Sequence, residues 1–315
     1  MHPALAARVH ASVLGRRATG ETGSPRGRAA VRFVLAIVIA TVGAWIFNSV
    51  RTDNECVERE RTLLLGIVHG HNARLNEHDR AAFTRDTTLV ASLAGAYEGD
   101  LIASELTLPL GLTATLARPT VYVHAPIESL GTTTNVESAA FESLKDSLLL
   151  CLVDPPSART EKAVLAKVRI AYGDGVALEH GTANVTRLAD ASSPLRVLSN
   201  AWEARVRAAD SAALGKLHAD LDRAPIESGI HALKAELLIV AIDEHAEVKG
   251  PAELDGERPH LVRLVIVDLL TGKVLLRMRK AVAPSDWSEG ARIDHARGLD
   301  ECAFAFDARA AVTVK

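Results

Sequence analysis

Aromatic residues are scarce in this sequence: Phe, Trp and Tyr together make up 4% of its 315 residues. With so few large rings available, we expect a core built mainly from the aliphatic side chains of Leu, Val, Ile and Ala. An excess of positive charge is also missing, because the formal net charge is −3. A general nucleic-acid binder needs a concentrated positive field. The composition therefore argues against that class of protein, and we expect no nucleic-acid partner.

Sequence motifs that are typical of a particular enzymatic reaction are missing as well. The sequence has no Gly-x-Ser-x-Gly nucleophile elbow, no Gly-x-x-x-x-Gly-Lys phosphate loop and no Gly-x-Gly-x-x-Gly dinucleotide motif. Its densest group of histidines, His69, His71 and His78, followed by Asp79, does not have the spacing of a helical zinc site. We therefore expect no cofactor and no metal, and the sequence leans away from an enzyme.

Cysteine is rare and occurs at three positions, Cys56, Cys151 and Cys302. Cys151 and Cys302 both lie in apolar segments and could meet across a sheet and a helix, so a disulfide is one interpretation. A pair of buried free thiols is the other interpretation, and the sequence favours it. Cys56 is left over. Because it follows an apolar run closely, it could link two copies of the chain into a homodimer.

A long apolar run stands near the amino terminus. From Phe33 to Val50 the chain has no charged residue over about 18 positions, which is near the short end for a membrane-spanning helix. We interpret residues 31–50 as an uncleaved transmembrane signal anchor. A signal peptide cleaved near Ala44 and a buried core helix are the alternatives. The run continues past Ala44 and is apolar all round, and both features favour the anchor.

The distribution of arginine predicts how this anchor is oriented. Residues 1–30, which we expect to be a disordered basic head, carry most of the arginines that precede the run. The positive-inside rule places such a head in the cytoplasm. The remainder of the chain would then lie outside the inner membrane, in a periplasm if the cell is Gram-negative. The arginines before the run are Arg8, Arg16, Arg17, Arg26, Arg28 and Arg32.

The exported part is predicted to contain two regions. Residues 54–117 are predicted to form a helical stalk, with helices over Asn54–Glu77 and Asp79–Tyr97. Asn54 is predicted to cap the first of these helices. Residues 118–315 are predicted to form the exported α/β domain.

Two short apolar stretches indicate the first strands of that domain. Thr120–Val123 is β-branched and aromatic, and Leu148–Val153 is a continuous apolar run of the kind found in buried strands. The segment Asn135–Asp146 between them has a helical pattern, so the three together predict a βαβ unit. Leu237–Val240 is a further candidate for a buried strand.

The carboxyl-terminal part has the clearest local pattern. Leu261–Leu269 and Lys273–Val282 flank a short turn whose Gly272 can adopt a positive φ, which predicts a β-hairpin. Residues 285–311 are predicted to be mainly helical. The fold class that we expect is therefore α/β (or α+β), with a mixed sheet, a late hairpin and a C-terminal helix.

The loop over residues 244–260 is the place where we would look first for a site. It separates two predicted strands by about 17 residues, which is longer than most connections. Asp255, Glu257 and His260 are its weak candidates for catalysis, because long loops beside a sheet often carry function. A solvated insertion without function is the alternative, and the polar composition favours it.

The sequence as a whole predicts a single-pass, membrane-anchored envelope protein. A non-enzymatic role in binding a partner or organising an assembly follows from the anchor and from the missing motifs. An envelope hydrolase or transferase with a site near the 244–260 loop is the alternative.

Overall fold

The computed structural model describes residues 25–244, 260–282 and 287–313. The chain divides into two units, Met1–Glu60 and Arg61–Lys315. The α-helices are α1 (Pro25–Asn72), α2 (Glu77–Leu93), α3 (Gly111–Leu116), α4 (Thr133–Glu142), α5 (Ser147–Val153), α6 (Glu161–Gly173), α7 (Gly175–Gly181), α8 (Ser192–Val197), α9 (Asn200–Ala208), α10 (Ser211–Arg223), α11 (Ile226–Leu233) and α12 (Glu289–Thr313). The strands are β1 (Leu101–Ile102), β2 (Thr120–Pro126), β3 (Val185–Arg187), β4 (Leu237–Glu244), β5 (His260–Asp268) and β6 (Lys273–Val282).

The six strands form one mixed sheet in the order β1-β6-β5-β4-β2-β3. Strand β2 pairs in parallel with β3 and with β4, whereas β4, β5, β6 and β1 pair antiparallel. The prediction of an α/β fold with a mixed sheet, a late hairpin and a C-terminal helix is confirmed. The hairpin turn contains Gly272 at φ +71°, the left-handed conformation that a residue without a Cβ adopts freely.

Strand β4 lies at the centre because its sequence suits burial on both faces. Leu237 to Ile242 are completely buried, as expected of a continuous apolar run between two neighbouring strands. The predicted strands at Thr120–Val123 and Leu237–Val240 are therefore confirmed as parts of β2 and β4.

The predicted strand Leu148–Val153 is wrong, and so is the βαβ unit that depended on it. These residues belong to helix α5, which begins where the side chain of Asp146 accepts a hydrogen bond from the amide of Leu149. Helix α5 is buried nearly all round between the sheet, α6 and α12. A short helix buried on every side has the same unbroken apolar sequence as a buried strand, so the pattern cannot distinguish them.

Helix α1 also differs from the prediction, because it continues through Asn54 without a break and ends at Asn72. Asn54 is therefore not a helix cap. The predicted second helix is confirmed as α2, which begins with a capping box formed by Asn76 and Asp79. Among the residues that the structure describes, no helix is long and apolar enough to cross a membrane. The structure does not describe several side chains of the run from Phe33 to Val50.

Helices α5, α6 and α12 cover one face of the sheet and share one hydrophobic core with it. A disulfide joins Cys151 on α5 to Cys302 on α12, with a Cα–Cα distance of 5.3 Å. It closes a loop of 151 residues, and long loops of this kind restrict the unfolded chain most. Cys56 is a free and exposed thiol.

Two helical glycines provide a test of the packing beside the edge strand β3. A Cβ on Gly229 in α11 would lie 2.4 Å from Pro194 Cδ and 2.5 Å from the carbonyl oxygen of Asp190. We expect Gly229→Ala to lower the free energy of unfolding by about 1–3 kcal/mol, because the backbone must move apart. Gly215 in α10 has no atom within 4 Å of such a Cβ. As a control, Gly215→Ala should therefore raise the free energy of unfolding by about 0.5–1 kcal/mol. Equal effects of the two substitutions in urea-induced unfolding would contradict this packing.

Candidate functional site

The most concentrated group of buried polar side chains lies on the helix-covered face of the sheet, and we call it the buried polar cluster. His124 is at its centre, near the carboxyl end of β2. In the parallel register His124 pairs with Ala241 of β4, so that Asp243, two residues further on, lies on the same face. Its members are the buried Tyr122, His124, Asp146, Ser147 and Glu301, together with the half-buried Asp243 and the exposed Tyr172.

Both ring nitrogens of His124 contact carboxylates. Nδ1 lies 2.6 Å from Asp146 Oδ2, and Nε2 lies 2.9 Å from Asp243 Oδ1. The His124 side chain is 3% exposed, and those of Asp146 and Asp243 are 11% and 14% exposed. The imidazole thus bridges the sheet and the start of α5 in a nearly closed environment.

Asp146 has three kinds of contact at once. It caps α5 by accepting a hydrogen bond from the amide of Leu149 at 3.0 Å. Its two oxygens also accept the hydroxyl of Tyr122, at 2.9 and 2.8 Å, and the imidazole of His124. Because an N-cap position holds its side chain beside the first turn, the fold directs this carboxylate toward the sheet.

Glu301 brings helix α12 into the cluster. Its Oε2 accepts a hydrogen bond from Ser147 Oγ at 2.6 Å and another from the hydroxyl of Tyr172 at 3.0 Å. Ser147 is fully buried and Glu301 is 3% exposed. Residue 301 directly precedes Cys302, so the disulfide to α5 fixes this part of α12 beside Asp146.

Burial and charge shift the pKa values of two members of the cluster. Burial disfavours a charged imidazole, but the carboxylates of Asp243 and Asp146 outweigh it, and the pKa of His124 is well above its ordinary value. Burial also raises the pKa of the Tyr122 hydroxyl well above its ordinary value, and the charges of Asp146 and Glu301 add to this rise. These shifts favour a protonated His124 between the two acids and a neutral Tyr122 hydroxyl.

The arrangement offers two kinds of chemistry. A histidine between two carboxylates can transfer protons as a general acid or base. One ring nitrogen of His124 and one oxygen each of Asp146 and Glu301 also lie within 4.8 Å of one another, which is a donor set for a metal ion.

The structure does not test the catalytic candidates of the 244–260 loop as a group. Asp255 and Glu257 lie outside the described residues, and His260 is half-buried at the first position of β5. Glu244, at the other end of the loop, is buried and forms an ion pair with Arg263. The loop nevertheless begins one residue after Asp243, so it leaves β4 next to the buried polar cluster.

The histidines that the sequence analysis considered have separate partners. His69 Nε2 lies 3.3 Å from Glu203 Oε2, and His71 Nδ1 lies 3.6 Å from Glu227 Oε1. Arg85 Nη1 lies 2.8 Å from His78 Nε2. Each ring therefore has its own contact.

A cavity of about 700 Å³ lies beside the edge strand β3, away from His124. Its polar side chains form pairs with each other, since Lys145 contacts Glu179 at 2.5 Å and Arg187 contacts Asp190 at 2.8 Å. None of the residues of the buried polar cluster lines it.

Sequence reasoning missed the buried polar cluster because its members are far apart along the chain. Asp146 is 22 residues from His124, and Asp243 is 119 residues from it. The sequence did contain a local signal. His124, Asp146 and Asp243 each interrupt or border an apolar stretch that forms a buried strand or helix. No spacing motif links them, so only the fold brings them together.

Comparisons with known proteins do not assign the chain to a family. No protein family, curated protein sequence or solved structure matches the chain.

Two helix caps allow the contribution of the cluster to be measured. Asp146→Ala removes a cap and also leaves Tyr122 and His124 buried without their acceptor. We therefore expect the free energy of unfolding to fall by about 3–5 kcal/mol. Asp210 caps α10 in the same way, accepting from the amide of Ala213, but it is exposed. The matched Asp210→Ala should cost only about 1 kcal/mol. Urea-induced unfolding followed by circular dichroism measures both, and equal losses would mean that the cluster adds nothing to the cap.

Proposed function

We propose that this chain is a single-pass membrane protein of the cell envelope, anchored by residues 31–50. The observation that carries the proposal is the uncharged run from Phe33 to Val50, which lies within one unbroken helix, α1. Side chains of this run that the structure describes are exposed and apolar, among them Leu35, Ile39 and Trp45 at 59%, 64% and 71% exposure. A lipid environment would bury this surface, and Trp45 suits a membrane interface.

The exported location of the α/β domain is part of the same proposal. The arginines that precede the run favour a cytoplasmic amino terminus. The disulfide between Cys151 and Cys302 supports the location independently, because disulfides form and persist outside the reducing cytoplasm. The exposed Cys56 then lies on the same side of the membrane, where it can link two copies of the chain.

The role that we propose for the exported domain is to bind a partner protein or organise an assembly. His124, whose pKa is raised well above its ordinary value, is enclosed rather than open to a substrate. Large apolar side chains are instead exposed in loops of the exported part, with Leu108 and Leu110 of residues 54–117 at 62% and 79% exposure and Leu270 of the α/β domain at 67%. Such side chains mark a protein contact where they form one contiguous apolar patch.

A second candidate function is an envelope hydrolase or transferase. The contact between His124 and Asp243 favours it, because Asp243 lies next to the 244–260 loop that carries Asp255 and Glu257. A protonated histidine can act as a general acid, and α/β enzymes bind their ligands at the carboxyl ends of parallel strands.

A fusion of alkaline phosphatase after Lys315 tests the proposal, because this enzyme becomes active only where its disulfides form. We expect phosphatase activity in the membrane fraction of a Gram-negative host, extracted by detergent but not by alkaline carbonate. The matched control carries Ile39→Arg and Val42→Arg, which place two charges in the run and should remove the activity from the membrane.

Two outcomes would contradict the anchored, exported arrangement. Activity in the soluble periplasm would mean that the run is cleaved as a signal peptide. An intact but inactive fusion would place the domain in the cytoplasm, and the disulfide would lose its proposed context.

A further inference from the structure

We propose that His124, Asp146 and Glu301 bind one divalent zinc ion inside the α/β domain. The three residues come from different elements, β2, the cap of α5 and helix α12. Their donor atoms lie within 4.8 Å of one another, and the residues are 7%, 8% and 3% exposed. Donors bound to one zinc ion at about 2.0–2.2 Å are roughly 3.4 Å apart, so a small contraction brings the three side chains to bonding distance and leaves a fourth position for water.

The donor types favour zinc over magnesium and calcium. One imidazole nitrogen and two carboxylate oxygens are ligands that zinc accepts, whereas magnesium and calcium prefer oxygen ligands alone. Two carboxylates held close together in a poorly solvated site repel each other, and a divalent cation offsets that repulsion.

Each of the three donor residues is oriented by a hydrogen bond to another side chain. His124 Nε2 lies 2.9 Å from Asp243 Oδ1, the kind of carboxylate contact that holds a zinc-binding imidazole in place through its other nitrogen. Glu301 is held by Ser147 and Tyr172, and Asp146 by Tyr122. Zinc would replace the proton that now joins His124 Nδ1 to Asp146.

The disulfide makes the donor set rigid before any metal binds. Cys302 directly follows Glu301, and Cys151 lies on the helix that Asp146 caps. The two carboxylates are therefore fixed relative to each other by a covalent link between α5 and α12. A site fixed in this way does not have to be assembled when the ion arrives, which favours binding.

Zinc titration of the full chain tests this inference. The chain is purified in a mild detergent with its disulfide intact, stripped with a chelator and titrated with zinc chloride against a fluorescent zinc chelator. We expect one saturable zinc ion per chain. Glu301→Gln keeps acceptors for Ser147 and Tyr172 but loses the charged donor, so it should weaken zinc affinity by at least about tenfold.

Glu203→Gln is the matched control, because Glu203 is also a buried carboxylate beside a histidine, 3.3 Å from His69 Nε2. It should bind zinc as the wild type does. The inference fails if the wild type shows no saturable site, or if Glu301→Gln retains wild-type affinity. If circular dichroism shows that Glu301→Gln does not fold, Asp146→Asn takes its place, because asparagine keeps the helix cap. Its zinc affinity is then compared with that of the wild type in the same way.

Discussion

The carboxylate of Asp146 is the contact on which the helix-covered side of the domain depends. One side chain begins helix α5, accepts the hydroxyl of Tyr122 and contacts the imidazole of His124. A buried carboxylate is costly unless every lone pair finds a partner, and here the sheet and the helix supply the partners together. The position of α5 on the sheet is therefore specified by polar contacts as well as by apolar packing.

Helix α12 is fixed to the same place by two different links. The disulfide from Cys302 reaches α5, and the neighbouring Glu301 accepts hydrogen bonds from Ser147 and Tyr172. Covalent and polar links thus coincide within a few residues at the centre of the helical layer. These links also place three potential metal donors side by side.

Patterns in the sequence predicted the elements whose neighbours are local. The hairpin around Gly272, the central strand at Leu237–Val240 and the terminal helix follow from alternation, turn chemistry and helical spacing. Helix α5 was mistaken for a strand because burial on every side removes the periodicity that distinguishes the two. The cap at Asp146 was the remaining clue to a helix. The contacts of His124 were beyond any local pattern, since Asp243 reaches it through the parallel pairing of β2 with β4 and Asp146 through the packing of α5 on the sheet.

The central claim is that His124 in the metal-free protein is a cation held between Asp146 and Asp243. Nitrogen-15 NMR of histidine-labelled, chelator-treated protein measures this directly, with His124→Gln to assign the resonance. The account predicts that both ring nitrogens remain protonated well above pH 6.5, the ordinary pKa of histidine. Because the folded state then holds a proton that the unfolded chain releases, the stability from this contact is full below pH 6.5 and is lost as the pH rises through the folded pKa. A ring that loses its proton at or below pH 6.5 would contradict the account.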